Sequence, residues 1–272
     1  MENGRASRTA WSAAQYRAAH QVVEGGRIFT DPLAMRILGA ETAVDDAPGR
    51  RAMRLFVAAR TAFAEEALAR AVARGTRELV VLGAGLDTFA YRNPYPQLRV
   101  FEVDHPDTQD WKRERLAEAA IAIPETLSYV PVNFETESLA DRLTVADRAF
   151  FLWLGVVPYL TRVGFDETLG FIAGVPKSEV VFDYAMSPSS MPPERRAALE
   201  NRAARVASIG EPWQTYFGPA EIAAELASRG FGDLEDLGPA QLAERYFDRP
   251  GVPPETPGGH VIRATRLDRT PG

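Results

Sequence analysis

From residue 78 onward, short apolar runs rich in β-branched and aromatic residues alternate with longer segments that repeat apolar positions at helical spacing. The runs Glu78–Leu82, Arg99–Val103, Ser128–Val132, Phe150–Leu154 and Val180–Tyr184 predict strands. The spacing predicts helices between them over Thr108–Ala122, Glu137–Leu143, Phe165–Ala173 and Pro193–Ala207. Such alternation predicts βαβ units and a mostly parallel sheet covered on both faces by helices. The first 75 residues read differently, mainly as helix. An Ala-rich helix is predicted over Ala10–Val23. A short one covers Leu33–Leu38, with Asp31 as N-cap and Pro32 at the first helical position, and Gly39 breaks it. A long helix runs from about Arg50 to Ala73 and ends near Gly75. At the C-terminal end a helix over Pro219–Arg229 leads to a strand over Phe231–Leu237. A Pro/Gly-rich loop, Asp248 to Gly259, and a last strand over Val261–Arg266 follow. With no clear crossover helix between them, these two strands are predicted to pair antiparallel at the sheet edge.

Composition narrows the class. The chain has 272 residues, which suits one large domain or a domain with an appendage. Apolar residues make up 46% and charged residues 25%, ample for a substantial core. A net charge of −6 disfavours a role built on phosphate neutralisation, so no nucleic-acid partner is expected. The absence of cysteine rules out disulfides, thiolate catalysis and Cys-ligated metal, and fits a cytoplasmic protein. No apolar run approaches the roughly 20 residues of a membrane span. The N-terminus lacks the apolar stretch of a secretory signal.

The most informative stretch is Glu78 to Arg92, ELVVLGAGLDTFAYR. An apolar strand stops at Gly83-Ala84-Gly85, and Leu86-Asp87-Thr88 is placed to open a helix. A strand, a glycine turn and a helix start form a site where backbone approaches a ligand closely. Asp104 ends the next strand, 21 residues after Gly83, the position of a ribose-hydroxyl acceptor in nucleotide-binding α/β folds. Glu102, two residues earlier on the same strand face, could assist it. The competing reading of Asp104 is a cap on the helix that follows. A dinucleotide site normally carries a third glycine three residues after the second, but Thr88 stands there, and Asp87 places negative charge where a pyrophosphate would lie. Both favour S-adenosylmethionine (SAM), which has no phosphate, over NAD(P), which stays as an alternative.

The runs GAGLDTFAYR and FEVDHP resemble the leucine carboxyl methyltransferase-like family of SAM-dependent methyltransferases. The likeness extends through Thr9-Ala10, Arg17-Ala18, Phe29 to Ala34, Arg60-Thr61, WLGVVPYLT from Trp153 to Thr161, and the late EIAAELASRGF segment. It implies an α/β, Rossmann-like class I methyltransferase with a mostly parallel seven-stranded sheet, an antiparallel C-terminal strand and an N-terminal helical cover. Residues 1–75 would be the cover and 76–272 the cofactor-binding core. The resemblance implies that Arg60 holds the cofactor's carboxylate, that Gly83, Ala84, Gly85 and Asp87 form its loop, and that Asp104 binds its ribose, with His105 alongside. Asn133 and Phe134 match an Asp–Leu pair near the adenine. Leu154 stands where relatives often carry a glutamate near the methionyl part, which removes a carboxylate from that side.

The acceptor side is written in aromatics. Tyr184, Trp213 and Phe217 are expected to wall the acceptor pocket, with Tyr159 and Tyr216 nearby. His20, in the helical cover, is a candidate general base, and Tyr159 a second catalytic candidate. His20, His105 and His260 show no metal-ligand spacing, so no metal is expected. The expected activity is O-methylation of a small molecule, on a carboxylate or a hydroxyl of a polyketide or other natural product. The rival is a SAM-fold protein that binds ligand without transferring methyl. Neither a membrane partner nor a large assembly is expected, and the chain should be a monomer or homodimer.

Overall fold

Alternate residues of a strand face opposite sides of a sheet, and both sides of the central strands here are apolar. The structure, a computed structural model, describes residues 7–39, 50–134, 136–187, 212–254 and 256–267, with scattered positions between 188 and 211. Its strands are β1 (Glu78–Leu82), β2 (Arg99–Asp104), β3 (Leu127–Pro131), β4 (Phe150–Trp153), β5 (Glu179–Ala185), β6 (Phe231–Leu237) and β7 (Gly259–Arg266). They form one seven-stranded sheet in the order β3-β2-β1-β4-β5-β7-β6. β1 to β5 run parallel, whereas β7 is antiparallel to both β5 and β6. The expected antiparallel pair is present, but β7 slots between β5 and β6, and β6 takes the edge. A helix that the sequence pattern does not announce, Pro239–Tyr246, separates the two.

The helices are α1 (Arg8–Val23), α2 (Ala34–Leu38), α3 (Arg51–Ala73), α4 (Pro106–Glu118), α5 (Leu139–Arg142), α6 (Arg162–Gly174), α7 (Pro219–Ser228) and α8 (Pro239–Tyr246). One face of the sheet, with Val80, Leu82, Phe151, Trp153 and Phe182, packs on Phe165, Leu169 and Ile172 of α6 and Ile222 and Leu226 of α7. The other face, with Leu79, Val81, Phe150, Leu152 and Val181, receives Ala59, Phe63, Ala67, Leu68 and Ala71 of α3. The alanines of α3 explain how it fits: Ala58 and Ala62, on another side of the helix, pack against Phe29 of the N-terminal segment. A third cluster joins Ala14, Ala18, Leu33, Ile37 and Leu38 to Leu86 beside the glycine turn and Leu116 of α4.

Three helix boundaries differ from expectation for local reasons. Asp31 does not cap α2 at Pro32; it accepts from the Leu33 N–H at 3.0 Å in a turn, and the helix starts at Ala34. His105 rather than Asp104 caps α4, its Nδ1 accepting from the Asp107 N–H at 3.2 Å. α4 stops at Glu118 because Ala120 turns to φ +51°. The helix expected over Pro193–Ala207 falls largely outside the described residues. Among the described residues no helix is long and apolar enough to cross a membrane.

Candidate active site

The sheet order reverses direction between β1 and β4: the chain moves outward from β1 to β3, then returns to lay β4 on β1's other side. Crevices at such switch points, outside the carboxyl ends of the strands, are where open α/β sheets bind ligands. Register brings Leu82 beside Val103 and Val81 beside Leu152, so the ends of β1, β2 and β4 meet there. A cavity of about 250 Å³ opens over them. Its walls include Gly83 to Asp87, Asp104, His105, Asn133, Phe134, Leu154 to Val156 and Arg60. Ser7, Ala10, Ala13 and Arg17 complete them from the start of the chain.

The glycine turn is shaped by close approach. Gly83 and Gly85 have φ of +64° and +45°. A Cβ on Gly83 would run into the Val156 side chain, and one on Gly85 would lie 2.9 Å from Ala10. The amides of Gly83, Ala84, Gly85 and Asp87 are already engaged. Gly83 and Ala84 donate to the Val103 carbonyl at 2.8 and 3.1 Å, and Asp87 donates to Ala84 at 2.7 Å. Gly85 donates to Asp104 Oδ2 at 2.6 Å, and Phe89 to Asp87 Oδ1 at 2.8 Å. No α-helix opens here; a single turn of 3₁₀ helix, Phe89–Tyr91, follows. The expectation that Leu86-Asp87-Thr88 opens a helix is therefore corrected. An anion nest needs unclaimed N–H groups, and this turn instead presents carboxylates. Asp104 lies 8% exposed, its other oxygen accepting from the His105 N–H at 2.7 Å. Burial pushes its carboxyl up, and the Gly85 and His105 donors offset only part of that. Burial also pushes Asp87 up, but Arg17, Lys112 and Arg92 outweigh it and hold that carboxyl below its usual range. Such a surface suits a polyol or a cation and repels a pyrophosphate.

A second cavity of about 590 Å³ adjoins the first, and Arg60, Gly155 and Tyr159 line both. Its walls are largely apolar and aromatic, including Met53, Phe56, Tyr184, Met186, Trp213 and Phe247, with Arg51 and Arg249 exposed. Between the cavities, Arg60 Nη1 donates to Asp183 Oδ2 at 2.6 Å, and the Gly155 N–H donates to Asp183 Oδ1 at 2.5 Å. Arg60 Nε is buried and bonds to nothing among the described residues.

The family model described as "Leucine carboxyl methyltransferase" matches residues 10–173. The chain belongs to the leucine carboxyl methyltransferase family. YktD of Bacillus subtilis strain 168, whose name places it among S-adenosyl-L-methionine-dependent methyltransferases, is 34% identical over 200 residues. That match covers 70% of this chain and 65% of YktD, so the chain spans just under two thirds of its relative's length. Among solved structures, a duf574 family protein of Streptomyces avermitilis aligns with a TM-score of 0.55 at 18% identity, covering 94% of this chain and 97% of its own. The magnesium protoporphyrin IX methyltransferase ChlM of Synechocystis PCC 6803, solved with bound SAH, aligns with a TM-score of 0.51 at 12% identity, covering 92% of this chain and 98% of its own. At such identities these likenesses concern the fold, which is that of the class I methyltransferases.

The positions singled out by the family likeness converge in the structure. Arg60, Gly83, Ala84, Gly85, Asp87, Asp104, His105, Asn133, Phe134 and Leu154 all line the first cavity. Tyr184 and Trp213 line the second, and Tyr159 lines both. Three expectations need correction. His20 is fully buried and lines neither cavity. Its Nδ1 bonds Glu24 at 3.1 Å and its Nε2 accepts from the Ile28 N–H at 3.2 Å, so both ring nitrogens staple the end of α1 to the turn after it. Burial holds its imidazole below the usual value in spite of Glu24, and it has no access to an acceptor. Phe217 is buried in the core, its ring 4.8 Å from that of Phe165, and lines neither cavity. Glu102 does not assist Asp104; it is sealed against Lys112 Nζ at 2.7 Å, away from the cavity. Asp183 escapes sequence reasoning, although a lone carboxylate inside the apolar run Val180 to Tyr184 is a visible signal.

Proposed function

We propose that this chain transfers a methyl group from SAM to an oxygen of a small molecule, a carboxylate or a hydroxyl of a natural product. The observation that carries this reading is the pair of adjoining cavities with a shared wall at Arg60, Gly155 and Tyr159. The first cavity fits SAM by its donor set. Asp104 offers acceptors for ribose hydroxyls, and Asn133 and Phe134 offer an amide and a ring for adenine. Arg60, with a buried Nε that bonds to nothing among the described residues, suits a carboxylate. The engaged amides of the glycine turn disfavour a dinucleotide.

When bound, SAM supplies a methyl group already activated by its sulfonium. The chain's own work is to align the acceptor oxygen in the second cavity and to exclude water. Tyr159 lines both cavities, which supports a contact with both ligands. A carboxylate acceptor is ionised at neutral pH and needs no base; a phenol, with a pKa of about 10, would gain from one. Of the expected cover of residues 1–75 over the core of 76–272, α3 belongs to the core, packed on a face of the sheet. The part that covers the site is the segment before it, a reading supported by Ala10, Ala13 and Arg17 of α1 in the cavity wall. The proposed setting is cytoplasmic and the assembly a monomer or homodimer.

Methyl transfer from isotopically labelled SAM to a panel of aromatic carboxylic acids, phenols and polyketide hydroxyls tests the reading. Label in an oxygen-methylated product supports it. SAM binding with no transfer across the panel favours instead a ligand-binding protein, a reading to which Leu154 lends weight by removing the carboxylate common in relatives.

A further inference from the structure

We infer that Asp183 is a positioning residue that fixes the Arg60 guanidinium and the Gly155 backbone at the wall between the two cavities, so that Arg60 can engage the cofactor's carboxylate. The inference rests on the reading of the first cavity as a SAM site and assigns to it a residue outside that cavity's own wall.

Asp183 sits in β5, whose seven residues are all buried. The residue is 5% exposed, and its carboxylate has two partners, one per oxygen: Arg60 Nη1 at 2.6 Å and the Gly155 N–H at 2.5 Å. A buried carboxylate costs a great deal unless it is paired and hydrogen-bonded, and here both oxygens are bonded. The pair also fixes direction. α3 delivers Arg60 to the carboxyl end of the sheet, and the long side chain has many rotamers; a charge-assisted bond from Nη1 selects among them. Nε bonds to nothing among the described residues although it is buried. The loop after β4 yields to the guanidinium as well. Gly155 has φ +73°, and a Cβ there would stand 2.9 Å from Arg60 Nη2. Asp183 holds that glycine by its amide, so one carboxylate sets both the arginine and the backbone that makes room for it.

The test is calorimetry with two probes on the full chain: S-adenosylhomocysteine, which carries the amino-acid carboxylate, and 5′-methylthioadenosine, which shares the adenosine and thioether but lacks it. Asp183→Asn keeps the shape and removes the charge. It is expected to weaken S-adenosylhomocysteine at least tenfold while changing 5′-methylthioadenosine less than twofold. In an Arg60→Met background the same substitution is expected to cause no further loss, because its effect runs through the arginine. Asp183→Glu, which keeps the charge, is expected to fall between wild type and Asp183→Asn for S-adenosylhomocysteine with 5′-methylthioadenosine unchanged, and it carries the test if Asp183→Asn does not fold. Equal losses for both probes, unchanged S-adenosylhomocysteine affinity, or a full additional loss in the Arg60→Met background would overturn the inference. A wild-type protein that binds neither probe overturns the cofactor reading itself, an outcome distinct from the others.

Discussion

Thr88 Oγ1 donates a hydrogen bond to Asp31 Oδ2 at 2.6 Å, joining the glycine-turn region to a segment 57 residues earlier. Both residues are almost fully buried. The guanidinium groups of Arg17 and Arg92 each stand 3.6 Å from the same carboxylate, and Arg17 also donates to the Leu86 carbonyl. This gives Thr88 a role of its own where a dinucleotide site would have glycine. Its hydroxyl clamps the N-terminal helices onto the turn.

Thr88→Val keeps the shape and removes the donor. It removes one bond to Asp31 and the acceptor that the hydroxyl offers Arg92 Nε at 3.2 Å. With Arg17 and Arg92 still beside the carboxylate, urea unfolding is expected to report a loss of about 1 kcal/mol. An unchanged or higher midpoint would show that Asp31 is satisfied without Thr88.

His20→Gln is expected to lower stability while leaving the pH profile of methyl transfer untouched. The folded-state pKa of His20 lies below its usual 6.5, first through burial. Between the folded and unfolded values the unfolded chain binds the extra proton, so His20 makes stability fall as pH drops below about 6.5. Unfolding midpoints of wild type and variant, compared from about pH 7.5 to 5, should show the wild type losing ground faster. A catalytic limb in the pH–rate profile that disappears in the variant would restore His20 as a base.

Glu102 carries the opposite sign. Burial pushes its carboxyl up to about 7 in spite of Lys112. The folded chain therefore keeps a proton that the unfolded chain has lost, and this group's contribution to stability declines as pH rises towards 7. The stability of wild type relative to Glu102→Gln is expected to shift against the wild type between about pH 5 and 7. No shift, or one in the other direction, would mean that Lys112 holds Glu102 ionised throughout.

Asp104→Asn is expected to weaken S-adenosylhomocysteine more than tenfold, about 1.4 kcal/mol or more. The amide NH₂ must face either the Gly85 or the His105 donor, so the turn is disturbed together with the ribose contact. Calorimetry that finds the same dissociation constant in both proteins would leave Asp104 a purely structural residue of the turn.

The sheet is legible in the sequence because its strands are short apolar runs with β-branched residues. Helical connections from β2 to β3, β3 to β4 and β4 to β5 announce parallel pairing, whereas β1 reaches β2 through a single 3₁₀ turn. β7 reads as a strand, but its insertion between β5 and β6 is decided by long-range pairing, as of Val180 with Ala264. Pro239–Tyr246 is hidden because eight residues with Pro at the start, next to a Pro/Gly-rich loop, look like part of that loop. In the site, the turn and Asp104 stand out through spacing along one strand and its neighbour. His20 misleads because nothing local distinguishes a histidine that bonds Glu24 and Ile28 from one that faces a pocket. Asp183 and Arg60 are 123 residues apart, and no local pattern announces their contact.

Titration calorimetry of the full chain with SAM, S-adenosylhomocysteine and NADH tests the central claim most directly. SAM and S-adenosylhomocysteine are expected to bind at one site per chain with micromolar or tighter affinity, on the order of −8 kcal/mol, and NADH is expected to give no heat. NADH binding without binding of either adenosyl ligand would contradict the assignment of the glycine-turn cavity.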